Sequence, residues 1–83
     1  MTASKVAIVT GASRGIGAAV AAALAHRGIR VFGISRSGTA PTGVIPLAAD
    51  VADREALRAA VDAVLRAEGR CDLAVLAAGL GIA

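Results

Sequence analysis

Short apolar runs alternate with helix-length stretches along this chain, and that alternation limits the folds open to it. Lys5–Thr10 (KVAIVT) is nearly continuous in apolar, β-branched residues and runs into Gly11, the pattern of a strand buried on both faces. From Gly15 to Arg27 the larger apolar side chains Ile16, Val20 and Leu24, with Ala23 beside them, fall at helical spacing, and Gly28 supplies a stop. Ile29–Ser35 (IRVFGIS) reads as a second strand, Arg36–Gly43 (RSGTAPTG) as turn, and Val44–Ala49 (VIPLAA) as a third strand. Pro46 argues against that strand, because a central strand needs the missing N–H, although an edge position would tolerate it. Asp53 can cap a second helix, with Glu55 in its first turn, a stripe at Leu57, Val61, Val64 and Leu65, and Gly69 as its end. Asp72–Ala78 (DLAVLAA) closes the series as a fourth strand running into Gly79.

Strands alternating with helices imply a parallel sheet with right-handed crossovers, hence a doubly wound α/β layer. At 83 residues the chain holds at most one small domain. It is 57% hydrophobic, too apolar to remain unfolded for want of a core, and its single aromatic residue, Phe32, leaves that core to Ala, Val, Leu and Ile. No window of about 18 uncharged apolar residues is present, so no membrane partner is expected and a cytoplasmic location is. The net charge of +3 comes from scattered arginines, and with no aromatic platform a nucleic-acid partner is not expected.

Chemistry concentrates in Thr10-Gly11-Ala12-Ser13-Arg14-Gly15-Ile16-Gly17, a glycine-rich turn between the first strand and the first helix. Gly11 permits a sharp turn, Gly15 removes a Cβ where a pyrophosphate would approach, and Gly17 allows the helix to lie close to the strand. Helix N–H groups and the helix dipole then favour an anion there. No Lys follows as in a triphosphate-binding P-loop, so a dinucleotide is the expected ligand. About 20 residues beyond such glycines an acidic residue would bond a ribose 2′-hydroxyl, whereas an Arg accommodates a 2′-phosphate. Ser35 and Arg36 stand there, and Arg36 with Arg14 points to NADP rather than NAD. Asp50 can accept from an adenine amine at a strand's carboxyl end.

The TGASRGIG segment, Asp50-Val51 after the third strand and Ala78-Gly79 after the fourth together resemble the N-terminal cofactor half of classical short-chain dehydrogenases/reductases, over Lys5 to Gly79. The resemblance implies a partial Rossmann-like doubly wound sheet of four strands and two main helices, with residues 1–83 as one partial dinucleotide-binding domain. By it, Gly11, Ser13, Arg14 and Ile16 line the pyrophosphate and adenosine ribose, Arg36 the 2′-phosphate, Asp50 and Val51 the adenine, and Ala77, Ala78 and Gly79 the adjoining wall. It also implies NADP-dependent hydride transfer between nicotinamide and a carbonyl or alcohol. The stretch from Arg36 to Asp50 is similar to that of some ketoacyl-carrier-protein reductases and dihydroxybenzoate dehydrogenases. Leu76 and Ala77 occupy positions where the family usually carries Asn, and the chain has no Tyr with which to form the family's Tyr-x-x-x-Lys. No catalytic residue is therefore assigned within these 83 residues.

The remaining reactive side chains read as structural. His26 suits a helix C-terminus, and Cys71 has no second Cys, which excludes an internal disulfide; one His and one Cys make no zinc site, and no metal is assigned. Ser13 and Ser35 lack a His/Asp framework, and Asp53, Glu55, Asp62 and Glu68 decorate one helix. Two further readings stay open: a free-standing, non-catalytic dinucleotide-binding module, and a strand-pairing module. In the second, the edge of the fourth strand self-associates or accepts a complementing second half.

Overall fold

The computed structural model describes residues 5–12 and 15–76. Its elements are β1 (Val6–Thr10), α1 (Gly15–His26), β2 (Arg30–Ser35), β3 (Ile45–Ala48), α2 (Arg54–Glu68) and β4 (Leu73–Leu76). The four strands form one sheet in the order β3-β2-β1-β4, and every pairing is parallel. The chain therefore runs outward from β1 to β2 and β3, then crosses back to β4 on the other side of β1. In parallel sheets that reversal opens a crevice at the carboxyl ends of the flanking strands, where ligands bind.

Each face of the sheet has its own core. Ala7 and Val9 of β1 pack with Val31, Val44, Ala12 and Ala21 of α1, while Val6 and Ile8 pack on the other face with Phe32, Ile34 and Val64 of α2. Alternate residues of one strand thus serve two helices, which is why β1 is buried at all five positions and its sequence shows no polar alternation. β3 takes the margin beside β2, with Pro46 opposite Gly33, as the missing N–H requires. β4 borders the described sheet on the other side, and its Leu73 and Leu76 are exposed.

The two helices bury different kinds of surface. On α2, Val64 is buried and Leu57, Ala60 and Val61 pack beside it, so the expected stripe faces the sheet, with Leu65 turned out at its border. Asp53 is its N-cap: Oδ1 accepts from Glu55 N at 3.1 Å and Ala56 N at 3.2 Å, satisfying two of the first-turn donors. At the other end, the Gly69 N–H donates to the Leu65 carbonyl. On α1 the stripe named from the larger side chains is corrected. Gly17 and Ala21 are the buried residues, with Leu24 and Ala25 packed beside them, while Ile16 and Ala23 are exposed and Val20 is half-buried. The contact face is one residue out of phase because small side chains let the helix axis approach the strands closely, which Ile16 and Val20 would prevent.

Opposite the crevice, at the amino ends of the strands, Asp72 ties β4 to β1. Its Oδ2 accepts from Val6 N at 2.8 Å, and its own N–H donates to the Val6 carbonyl at 2.8 Å. Arg70 closes on the same carboxylate through Nε at 2.8 Å and Nη2 at 2.7 Å. The Arg70 guanidinium, followed by the Val6 N–H, holds the Asp72 carboxyl below the usual carboxylate range. Among the described residues no helix is long and apolar enough to cross a membrane.

Two outcomes follow from these contacts. Replacing Asp53 with Ala should lower stability by about 1 kcal/mol, read as a shift in the urea midpoint without a change of slope. Because the folded form of Asp72 holds its proton more weakly than the unfolded one, its stabilisation is complete above the ordinary Asp range near about pH 4 and disappears as pH falls through the lower folded value. Asp72→Asn should flatten that acid limb of the stability curve; an unchanged limb would show that other carboxylates set it.

Candidate functional site

The glycine turn is seated on the end of β2. Gly11 N donates to the Ile34 carbonyl at 2.8 Å and Ala12 N to the same oxygen at 3.3 Å, so the chain leaving β1 is held across the neighbouring strand. Ala12 is fully buried against Gly33, where an added Cβ would lie 2.8 Å from the Ala12 Cβ and 2.9 Å from Val44 Cγ1. Gly33 is a site-shaping residue that the sequence reading passed over. The signal was available, since a glycine inside a strand often marks close backbone approach.

After the turn, α1 begins at Gly15 with φ +66°, a left-handed conformation that favours glycine, and among the described residues nothing lies within 4 Å of where its Cβ would stand. A pyrophosphate requires such an approach to the backbone, and none of the described side chains stands within 4 Å of that point. The first turn of α1 contains no carboxylate, in contrast to α2, whose N-terminus carries Asp53 and Glu55. The positive end of the α1 dipole is therefore not neutralised from within its own first turn. Ile16 is 56% exposed beside it, and Gly17 is buried toward the sheet. Ser13 and Arg14 lie outside the described residues, as do Ala77, Ala78 and Gly79.

Arg36 follows β2 directly and is exposed. It stands two positions after Ile34, whose carbonyl holds Gly11 and Ala12, so the glycine turn and Arg36 belong to the same end of β2. Ser35 organises the segment beyond: its carbonyl accepts from Ala49 N at 2.9 Å and Gly38 N at 3.3 Å, and its buried hydroxyl donates to the Thr39 carbonyl at 3.1 Å. Asp50 and Val51 follow β3 at the same end of the sheet. The Asp50 Oδ1 accepts from Ala52 N at 2.9 Å and its carbonyl accepts from Asp53 N at 2.9 Å, which shapes the entry to α2. Val51 is half-buried against the α2-side core.

His26 and Cys71 stand at the far end. His26 is exposed in the last turn of α1, and the exposed Cys71 thiol donates to the Leu73 carbonyl. Among the described residues no group of three His, Cys, Asp or Glu could hold a metal ion. A shallow concavity on the C-terminal half of α1, lined by Val20, Leu24 and Arg27 among others, is likewise remote from the glycine turn.

The family model for short chain dehydrogenases matches residues 5–83. The chain belongs to the short chain dehydrogenase family. D-Threitol dehydrogenase of Mycolicibacterium smegmatis is 38% identical over 87 aligned positions, covering 92% of this chain and 34% of that protein. The 3-oxoacyl-[acyl-carrier-protein] reductase MabA of Mycobacterium tuberculosis is 39% identical over 77 positions, covering 93% of this chain and 31% of that protein. Ligand-free aldohexose dehydrogenase of Thermoplasma acidophilum superposes with a TM-score of 0.83 at 30% identity, over 88% of this chain and 29% of the other. The chain thus spans about a third of the length of these dehydrogenase relatives, and its described strands and helices are the α/β, Rossmann-like fold they share.

The seat of the glycine turn can be tested by crowding it. Gly33→Ala should destabilise by about 1–3 kcal/mol through overpacking, and Ala12→Gly in the same chain should recover part of that loss. Additive losses in the double variant would show that the two residues do not share the contact.

Proposed function

We propose that residues 1–83 are a partial dinucleotide-binding domain, the NADP(H)-binding portion of a cytoplasmic short-chain oxidoreductase acting on a carbonyl or alcohol substrate. The observation that carries the reading is the seating of the glycine turn on the Ile34 carbonyl, two positions before Arg36, beside a helix start whose first turn has no carboxylate. A pyrophosphate suits backbone N–H donors and an unneutralised helix dipole. A 2′-phosphate suits an exposed guanidinium, which offers paired charge-assisted bonds. An NADPH dependent reductase, YwfH, shares the fold with a TM-score of 0.74 at 27% identity, which is compatible with the assignment.

In this reading Gly11, Ser13, Arg14, Gly15, Ile16 and Gly17 hold the pyrophosphate and the adenosine ribose, and Arg36 holds the 2′-phosphate. Asp50 and Val51 border the adenine, with the Asp50 carboxylate already oriented by Ala52 N. Ala77, Ala78 and Gly79 form the wall beyond β4. The bound nicotinamide supplies the hydride, or takes it up in the reverse direction. These residues bind and orient; the proton that accompanies hydride transfer is handled outside residues 1–83.

The binding preference tests this directly. NADPH should bind the full chain at least about tenfold more tightly than NADH, in keeping with charge-assisted bonds to one additional phosphate, and Arg36→Asp should abolish or reverse that preference in calorimetric titrations. Equal affinities in the unsubstituted chain would overturn the 2′-phosphate assignment.

A further inference from the structure

The outward surfaces of the two helices differ in kind. α2 exposes Arg54, Glu55, Arg58, Asp62 and Arg66, charges of both signs that suit a helix with one free face. From Gly15 to Ala25, α1 has no charged or hydrogen-bonding side chain, yet Ile16, Ala19 and Ala23 are exposed. A helix that is apolar all round belongs between two packed surfaces, and the sheet supplies only one of them.

The uncovered flank can be located. α1 lies over β1 and β2, and its Ala25 faces the segment after β2, since a Cβ on Gly43 would stand 3.7 Å from the Ala25 Cβ. At about 3.6 residues per turn, Val20, and Arg27 just past the helix end, fall on the opposite flank, toward β4. On that face of the sheet β4 presents Val75, which packs on the same core as Leu24, and Leu73, which is exposed. The two elements thus form an apolar groove, with α1 as its wall and β4 as its floor. The concavity of about 700 Å³ on α1 opens that wall at Val20 and Leu24 and ends at His26 and Arg27. The crossover from β3 to β4 carries α2 on the other face, and a further parallel strand beside β4 would bring its helix to that other face too. Extending the sheet in this direction therefore leaves the groove open.

Charge narrows the choice of occupant. No residue before Asp50 is acidic, and the six carboxylates of the chain lie between Asp50 and Asp72. Asp72 is already engaged by Arg70 and the Val6 N–H, and among the described residues no ion pair is recorded for Arg27. Two copies meeting symmetrically through this face would bring Arg27 no carboxylate from α1 or β4. A bilayer would span a groove rather than fill it.

We propose that this groove docks an amphipathic helix of a protein partner, with its apolar stripe on Val20, Leu24, Leu73 and Val75 and a carboxylate paired with Arg27. α1 is 12 residues long, about 18 Å, which sets the length of the contact. The surface is separate from the residues assigned to the dinucleotide and does not depend on that assignment.

Two labelled synthetic peptides test this. Each is a Leu/Ala helix of about 18 residues, long enough to hold its shape in water, with one apolar stripe and a polar face of Glu in one peptide and Lys in the other. In fluorescence anisotropy the Glu peptide should bind the full chain at least about tenfold more tightly than the Lys peptide. Arg27→Glu should reverse that order, Val20→Asp should remove binding of both, and Arg58→Glu on the outer face of α2 should change neither. Melting curves check the fold of each variant, and Arg27→Glu, at an exposed position, decides the matter if Val20→Asp does not fold. Equal affinity for the two peptides, no saturable binding, or retention of the Glu preference by Arg27→Glu would overturn the proposal. A dimer in sedimentation that Val20→Asp disperses would also overturn it, by giving the groove to a second copy. Phosphatidylglycerol vesicles that bind where the Glu peptide does not would do the same in favour of a bilayer.

Discussion

β1 is paired on both edges and buried on both faces, and the remaining elements are placed by reference to it. Its hydrogen bonds fix the register of β2 and β4, and its alternating side chains assign α1 to one side of the sheet and α2 to the other. A strand so enclosed cannot slip by one residue without exchanging the two cores, a penalty that specifies register strongly. The turn leaving β1 inherits that precision. Gly11 and Ala12 reach a single carbonyl of β2 because β1 and β2 are already aligned, Thr10 against Ile34.

Much of this arrangement was legible because it rests on residue types with few alternatives. Pro46 has no N–H and lies on the margin; Asp53 and Gly69 have the chemistry of helix ends and bound α2. The face of α1 was misread for a physical reason. Periodicity weighs large side chains, whereas a helix lying directly on a parallel strand selects small ones, and α1 is apolar nearly all round, so its sequence contains little to mark the inner face. Gly33, a glycine within a strand, did signal a close approach, and what lay hidden was its partner, Ala12, which arrives from a distant segment.

The candidate site divides along the same line. Arg36 and the glycine turn could be placed at one end of the sheet from sequence because their spacing reflects one strand–helix–strand unit of ordinary size. The turn that Ser35 organises could not, since Ser, Gly and Thr between strands describe any polar turn. Its shape depends on Gly38 folding over Ala48 and on the Ser35 carbonyl bonding Ala49 of the following strand region, both of which are tertiary facts. Asp50 was read as a ligand contact, and the structure adds that its Oδ1 also shapes the approach to α2, so a change there would disturb the helix start as well as any ligand.

Arginines stand at both ends of β2, but they do not contribute equally to the field around the protein. Arg30, at the amino end, is 2.6 Å from the Glu68 carboxylate and lies over the Phe32 ring, so its charge is largely cancelled close by. Among the described residues no ion pair is recorded for Arg36 at the carboxyl end. The two arginines therefore differ in their surroundings, since Arg36 shares the carboxyl end of the sheet with the positive pole of α1 and with the carboxylates of Asp50, Asp53 and Glu55. An anionic group approaching that end meets charges of both signs, and the reach of each shortens as salt rises.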